Sequence, residues 1–318
     1  MKLVIAFLRL IRWPNLVFIA VTQWLFYFCV VVSLQAEKAS ALQVSQFSLF
    51  YLLIAASVLI AAAGYIINDY FDMHIDSVNK PGKVVVDKAV KRRWAILWHL
   101  VFSLSGVLIS LYISYKTGTW IIVIANIICA LLLWFYSTTF KKKLLSGNII
   151  IAALTAWVII VVYFFAGAAI INYNGWHLGN YSFDIKKLYK FTILYAGFAF
   201  IVSLIREVVK DLEDMYGDAR YQCKTMPIEW GVPATKVFIA VWIIVCCALL
   251  AIVQLYVWQS GWWLGAVYCI ILIIAPLVFI LKKLYTATTP ADYHQLSRYI
   301  KLVMLTGILS MIFFKFYS

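Results

Sequence analysis

The sequence predicts an all-α polytopic membrane protein with nine transmembrane helices. Two observations of composition and one of pattern predict it. Of 318 residues, 65% are hydrophobic and only 13% charged, against roughly 25% charged in a soluble domain. The mean hydropathy is +0.94. The apolar residues fall into runs near the length of about 20 that crosses a hydrocarbon core as a helix.

The spans follow in order. Pro14–Leu34 begins directly after Arg9 and Arg12, and Leu49–Asn68 ends where acidic residues begin. Trp94–Tyr115 is bounded by Arg92-Arg93 and Lys116. Trp120–Tyr136 is the shortest, so the sequence leaves a count of eight open at this point. Asn148–Ile171 comes next, and Leu188–Arg206 runs from a lysine pair to a charged stretch. Ala234–Trp258, Trp262–Leu281 and Tyr299–Tyr317 complete the set. No linker or low-complexity segment separates them, so residues 1–318 are read as a single domain. Residues 1–13 carry too short an apolar stretch, Leu3 to Leu8, for a signal peptide.

Nine spans place alternate loops on opposite sides. One side collects Lys2, Arg9 and Arg12, the loop Lys80 to Arg93, Lys141–Lys143, the stretch Arg206 to Lys236, and Lys282 to Lys301. These hold 21 of the 27 Lys and Arg. Basic loops stay cytoplasmic, so this side is the expected cytoplasmic face. The formal charge of +14 then reflects loops facing anionic lipid, and no nucleic acid is implied. No obligate protein partner is evident. The six cysteines contain no C-x-x-C pair, and five lie in apolar runs, where a thiol packs as a small hydrophobe.

Charge is scarce and unevenly placed. Eight of the 13 Asp and Glu lie in two stretches, Asn68–Asp76 and Arg206–Asp218. Both follow inward-running spans, so both fall on the basic face. Asn68, Asp72 and Asp76 are four apart, which puts them on one helical face over about 12 Å. Asp211, Asp214 and Asp218 form a second stripe at spacings of three and four. Like charges so spaced destabilise a helix, and a divalent cation offsets the repulsion. Mg²⁺ suits such a place, because it takes one or two carboxylates and leaves its other positions to water and phosphate. Two solvated helix ends are the plainer reading, but two matching clusters in so acid-poor a chain favour the ion. Lys83, Lys141–Lys143, Arg92, Arg93, Arg206, Lys210 and Lys224 lie on the same face. Arg206 and Lys210 stand within a turn or two of the acids and are the favoured grips for a diphosphate. His74 is offset by two from Asp72, off the stripe.

The pattern Asn68-Asp-x-x-Asp72-x-x-x-Asp76, with a second aspartate-rich motif about 135 residues later, resembles the UbiA superfamily of intramembrane prenyltransferases. Arg12-Trp-Pro-Asn15 is similar to the family's opening segment. Tyr136-Ser137, the lysines after it and Gly147-Asn148 are similar to its segment between the fourth and fifth helices. Lys210-Asp-Leu-Glu-Asp-Met-Tyr-Gly-Asp218 and Lys224-Thr-Met-Pro-Ile are most similar to the geranylgeranylglyceryl-phosphate geranylgeranyltransferase branch. Where many members continue Arg-Pro-x-Pro-Ser-Gly, this chain has Lys83-Val-Val-Val-Asp-Lys88. Lysine replaces the charge there but not the bidentate fork.

The resemblance implies nine helices around a central cavity capped by the two cytoplasmic loops. It implies Mg²⁺-dependent transfer of a prenyl group, geranylgeranyl in that branch, from prenyl diphosphate to a lipophilic acceptor such as a glyceryl-phosphate prenyl ether. It gives Asn68, Asp72, Asp76, Asp211, Asp214 and Asp218 to the metal, with Asp72, Asp76, Asp211 and Asp214 as the catalytic core. It gives Asn15, Lys83, Tyr136, Lys141, Arg206 and Lys210 to the diphosphate and prenyl chain. The setting would be the inner or cytoplasmic membrane, with the site open to the cytoplasm. Two alternatives stand beside it: prenylation of an aromatic acid for quinone synthesis, and cation-coupled transport. Transporter sites lie near the midplane, whereas these acids lie at span ends.

Overall fold

The structure is a computed structural model, and it describes residues 2–34, 43–79, 85–87, 89–176 and 184–317. Helices account for nearly all of them, and no strand occurs among the described residues. In hydrocarbon every backbone N–H and C=O must be satisfied within its own segment, so apolar runs become helices even where Ile and Val dominate.

The elements in order are α1 (Lys2–Leu10), α2 (Trp13–Leu34), α3 (Gln43–Asn79), α4 (Arg92–Thr117) and α5 (Ile121–Thr138). They continue with α6 (Ser146–Trp176), α7 (Ile185–Arg220), the short α8 (Met226–Glu229), α9 (Gly231–Gln259), α10 (Trp263–Thr286) and α11 (Pro290–Phe316). All but α1 and α8 contain a stretch long and apolar enough to cross a membrane, nine in total among the described residues. The chain is an integral multi-pass membrane protein. The short fourth span is a helix of 18 residues, which decides the count of eight or nine.

Three boundaries differ most from the sequence reading. The second span does not stop at Asn68 but continues to Asn79. The sixth continues from Arg206 to Arg220. Both acidic stretches therefore lie on helix rather than opening the loops after them. Local pairing explains this: Asn68 bonds Asp72 one turn on, and Lys210 bonds Glu207 three residues back. The ninth span starts at Pro290 rather than Tyr299. Thr289 and Asp292 form a reciprocal capping box there, with proline in the first turn.

The chain forms two compact units. One comprises residues 1–140 and 157–193, the other 141–156 and 194–318. In the first, close helix contact rests on glycine. A Cβ on Gly106 of α4 would meet the Ile60 side chain at 2.7 Å and the Ala56 carbonyl at 3.1 Å. Polar side chains join the helices, as small hydroxyls and amides do in membranes. Asn126 donates to Ser110 at 2.8 Å, and the Trp157 indole donates back to Asn126 at 3.1 Å. Tyr27 stacks on Phe50 at 4.0 Å, beside Phe165.

The core of the second unit is Ile205, Val208, Val209 and Leu212 of α7 packed with Ile239, Ile243, Leu277, Ile280, Leu296 and Ile300. A π-helical turn over Ile270–Ile274 includes the Leu272 carbonyl, which accepts the Thr306 hydroxyl at 2.8 Å. Lys236 of α9 donates to the Ala287 carbonyl at 2.5 Å and closes the turn between α10 and α11.

Candidate functional site

The first stripe lies on the last three turns of α3. Asn68 and Asp72 are buried, and the Asn68 amide donates to Asp72 Oδ2 at 2.6 Å. Asn68 Oδ1 is buried with no hydrogen-bond partner among the described residues. Asp76, one turn on, is half-buried, and His74 is exposed. Asp69 lies beside the stripe and turns instead to Arg12, which donates to it at 2.5 Å. The Arg12 guanidinium sits 5.2 Å above the Tyr65 ring. Burial lowers its pKa, but the charge and hydrogen bond of Asp69 outweigh that, and the net shift is upward.

Arg12 reaches Asp69 because α1 and α2 meet at a sharp break. Arg12 has a left-handed backbone, φ 51°, and Pro14 opens α2. Asn15, half-buried, donates its backbone N–H to the Arg12 carbonyl. Tyr136, near the end of α5, is also half-buried. The end of the loop after α3 folds back on that helix, with Val86 buried beside Met73 and Ile66. Arg92 is used there, against Met73 Sδ at 3.4 Å and Asp87 at 3.6 Å. Arg93 is exposed. Lys83 lies outside the described residues.

The second stripe lies on α7. Asn148, in the first turn of α6, donates its amide to Asp211 Oδ2 at 2.8 Å. Asp218, Glu207 and Lys141 all lie within electrostatic reach of Asp211. Asp214 is half-buried and Asp218 buried. Lys141 is half-buried, whereas Lys142, Lys143 and Lys224 are exposed. The Lys224 N–H donates to the Lys142 carbonyl at 2.8 Å, which fixes the lysine segment against the end of this stripe. Glu207 Oε1 accepts from both Arg206, at 3.0 Å, and Lys210, at 2.7 Å. Glu213 pairs with His294 of α11 at 2.9 Å.

Sequence reasoning missed four of these partners: Asn148, Glu207 and His294 as fixers of the second stripe, and Arg12 as the partner of Asp69. Asn148 carried a signal, as an amide in the first turn of an otherwise apolar span. Glu207 also carried one, since it stands three residues before Lys210, a spacing that pairs charges on a helix; the Glu213–His294 and Arg12–Asp69 pairs join residues whose contact no spacing announces.

Among the described residues, no three His, Cys, Asp or Glu side chains converge into a preformed cage for a metal. Mg²⁺ does not need one, since water and phosphate fill most of its octahedron. The donor set fits it: amide and carboxylate oxygens, with one buried amide oxygen still unbonded beside Asp72.

A sequence model described as the UbiA prenyltransferase family matches residues 25–303. Digeranylgeranylglyceryl phosphate synthase of Methanoregula boonei is 31% identical over 229 residues, covering 70% of this chain and 71% of the relative. A solved structure concerning digeranylgeranylglyceryl phosphate synthase in membranes aligns with TM-score 0.59 and 23% identity, over 98% of this chain and 99% of that one. A UbiA homolog from Archaeoglobus fulgidus, bound to DMAPP and Mg²⁺, aligns with TM-score 0.56 and 17% identity, over 96% and 98%. At these identities the two structures establish the shared fold.

Proposed function

The chain belongs to the UbiA prenyltransferase family, and we propose that it moves a geranylgeranyl group from its diphosphate to the free hydroxyl of a prenylated glyceryl phosphate. The observation that carries the reading is the repeated asparagine–aspartate pair. Asn68 holds one oxygen of Asp72, and Asn148 holds one oxygen of Asp211. Each amide N–H fixes a carboxylate and leaves its second oxygen oriented, as outer hydrogen bonds orient metal ligands. The synthase from Methanoregula boonei, with 31% identity, supports the acceptor class, and the homolog solved with DMAPP and Mg²⁺ supports the donor and the ion.

In this reading Asn68, Asp72 and Asp76 hold one Mg²⁺, and Asp211, Asp214 and Asp218 a second. The ions supply charge neutralisation for the departing diphosphate. Lys141, near Asp211, and Lys210 add positive charge at the leaving group, and Lys83 is assigned to the same diphosphate. Tyr136 shields the allylic carbon as it gains positive character, and Asn15 lines the same end of the helices. Residues 1–318 act as one catalytic domain. The basic loops support a site on the cytoplasmic side of the cell membrane. Purified protein incubated with labelled geranylgeranyl diphosphate, Mg²⁺ and either a prenyl glyceryl phosphate or an aromatic acid tests this by product mass. The ether product supports the proposal, and a prenylated ring overturns the acceptor.

A further inference from the structure

Helix α1 (Lys2–Leu10) precedes the first span and belongs to none. Its nine residues extend about 13.5 Å, too short to cross a hydrocarbon core of about 30 Å. Its residues sort into three faces. Ala6 and Leu10 are buried, and the Phe7 ring packs beside Trp98 at 5.4 Å and Phe102 at 6.2 Å. Leu10 shares its core with Ile66, Met73 and Ala95, so this face is fixed on α3 and α4. Val4, Ile5 and Leu8 lie on the opposite side and are exposed by 60%, 46% and 39%. Lys2 and Arg9 stand two turns apart and mark a basic edge, and Arg9 is exposed. The helix contains no acid.

The surface beside that apolar side belongs to a span. Trp94, Leu97, Trp98 and Val101, in the first three turns of α4, are all exposed on a helix long and apolar enough to cross the membrane. Trp13, at the start of α2, is exposed as well, and tryptophan favours the headgroup level. A protein covering Val4, Ile5 and Leu8 would have to displace the lipid that this part of α4 requires. An apolar side, a basic edge and no acid fit a helix lying in the plane of the interface, with acyl chains against one side and lipid phosphates against the other.

Helix α1 ends on the joint that carries Arg12. Arg12 follows Arg9 by three residues, takes the left-handed backbone between α1 and α2, and donates to Asp69. We propose that α1 is an in-plane membrane helix, seated with Val4, Ile5 and Leu8 among acyl chains and Arg9 among lipid phosphates, and that this seat positions Arg12 on Asp69. The seat does not rest on the prenyl-transfer reading above.

Nitroxide labels on Val4→Cys, Leu8→Cys and Arg9→Cys variants of the full chain test it, in vesicles of phosphatidylcholine and phosphatidylglycerol. The protein's own cysteines are buried apart from Cys247, which is half-buried, and the unsubstituted protein gives their background. Labels at positions 4 and 8 are expected to relax faster with oxygen than with a water-soluble nickel chelate, as a label at the exposed Leu104 of α4 should. The label at position 9 should do the reverse. Nickel chelate reaching positions 4 and 8 puts α1 in water, and neither reagent reaching them puts protein there, whether a second copy or another partner. Either result overturns the proposal. Leu8→Gln is expected to lower kcat/KM in vesicles about as far as Arg12→Ala does, with the melting temperature unchanged, and to lower it no further in an Arg12→Ala background. Leu8→Phe, still apolar, should keep wild-type turnover. Unchanged turnover in Leu8→Gln, or losses that add, overturn the positioning of Arg12. Wild type without prenyl transfer overturns the proposed function and not the seat, which the labels read by themselves.

Discussion

Asn148 and Asp211 lie 63 residues apart in sequence and 2.8 Å apart in space. The bond joins the start of α6 to the acidic part of α7. It fixes one oxygen of a carboxylate that has two other acids, Asp218 and Glu207, within electrostatic reach. Asn148→Ala is expected to lower Mg²⁺ affinity by about 10–100-fold, the usual effect of losing an outer-shell partner. Asn148→Asp should be worse, since it adds a like charge. Titration of prenyl transfer against Mg²⁺ checks both.

Asp72→Ala and Asp214→Ala each remove one metal-facing carboxylate from a different stripe. Each is expected to cut turnover by about 100-fold or more, the scale of removing a group that stabilises developing charge. Chelation should abolish activity in wild type, and added Mg²⁺ should restore it. Near-normal turnover in either variant would show that its stripe holds no essential ion.

Arg12 is coupled to Asp69, which lies between Asn68 and Asp72, both assigned to the metal. The pair is partly exposed, with the Arg12 side chain at 37%, so its net effect on stability is about 1 kcal/mol or less. The larger effect should fall on activity. Arg12→Ala and Asp69→Asn are expected to lower kcat/KM, and the double variant to be no worse than the poorer single. Additive losses would mean that the two residues act apart.

Gly307 of α11 lies against Phe198 of α7. A Cβ there would come within 2.3 Å of the Phe198 ring. A ring cannot bend aside as a flexible chain does, so Gly307→Ala should cost about 1–3 kcal/mol as overpacking. A lower melting temperature, recovered in part by Phe198→Leu, checks this.

His294 holds Glu213, whose side chain is only 10% exposed, between Asp211 and Asp214 in sequence. His294→Ala is expected to raise the Mg²⁺ requirement, and His294→Gln to restore it through its amide. Failure of both variants alike would assign His294 a purely packing role.

Helix identity and number were legible because hydrocarbon leaves the backbone a single solution, and only the short span at Trp120–Tyr136 left the count open. The metal-site candidates were legible because charge is scarce: eight acids in two stretches stand out against 13 in all. The ends of helices were not. Asn68 and Arg206 read as termini because apolarity stops there, yet each helix runs on for 11 or more residues, held by polar pairs that hydropathy does not register. The His294–Glu213 relationship depends on how α7 and α11 pack, and nothing at 81 residues of separation announces that.

The α3 helix runs 37 residues without interruption, about 55 Å, against a hydrocarbon slab of about 30 Å. The acids of the first stripe are thus rigidly geared to the lipid-immersed part of the same rod. Inserting one residue between Ala63 and Asn68 would swing Asn68, Asp72 and Asp76 by about 100° as a block, while every local contact within the stripe survived. Depth and azimuth of the carboxylates are thus one mechanical setting, fixed by counting residues from the oil.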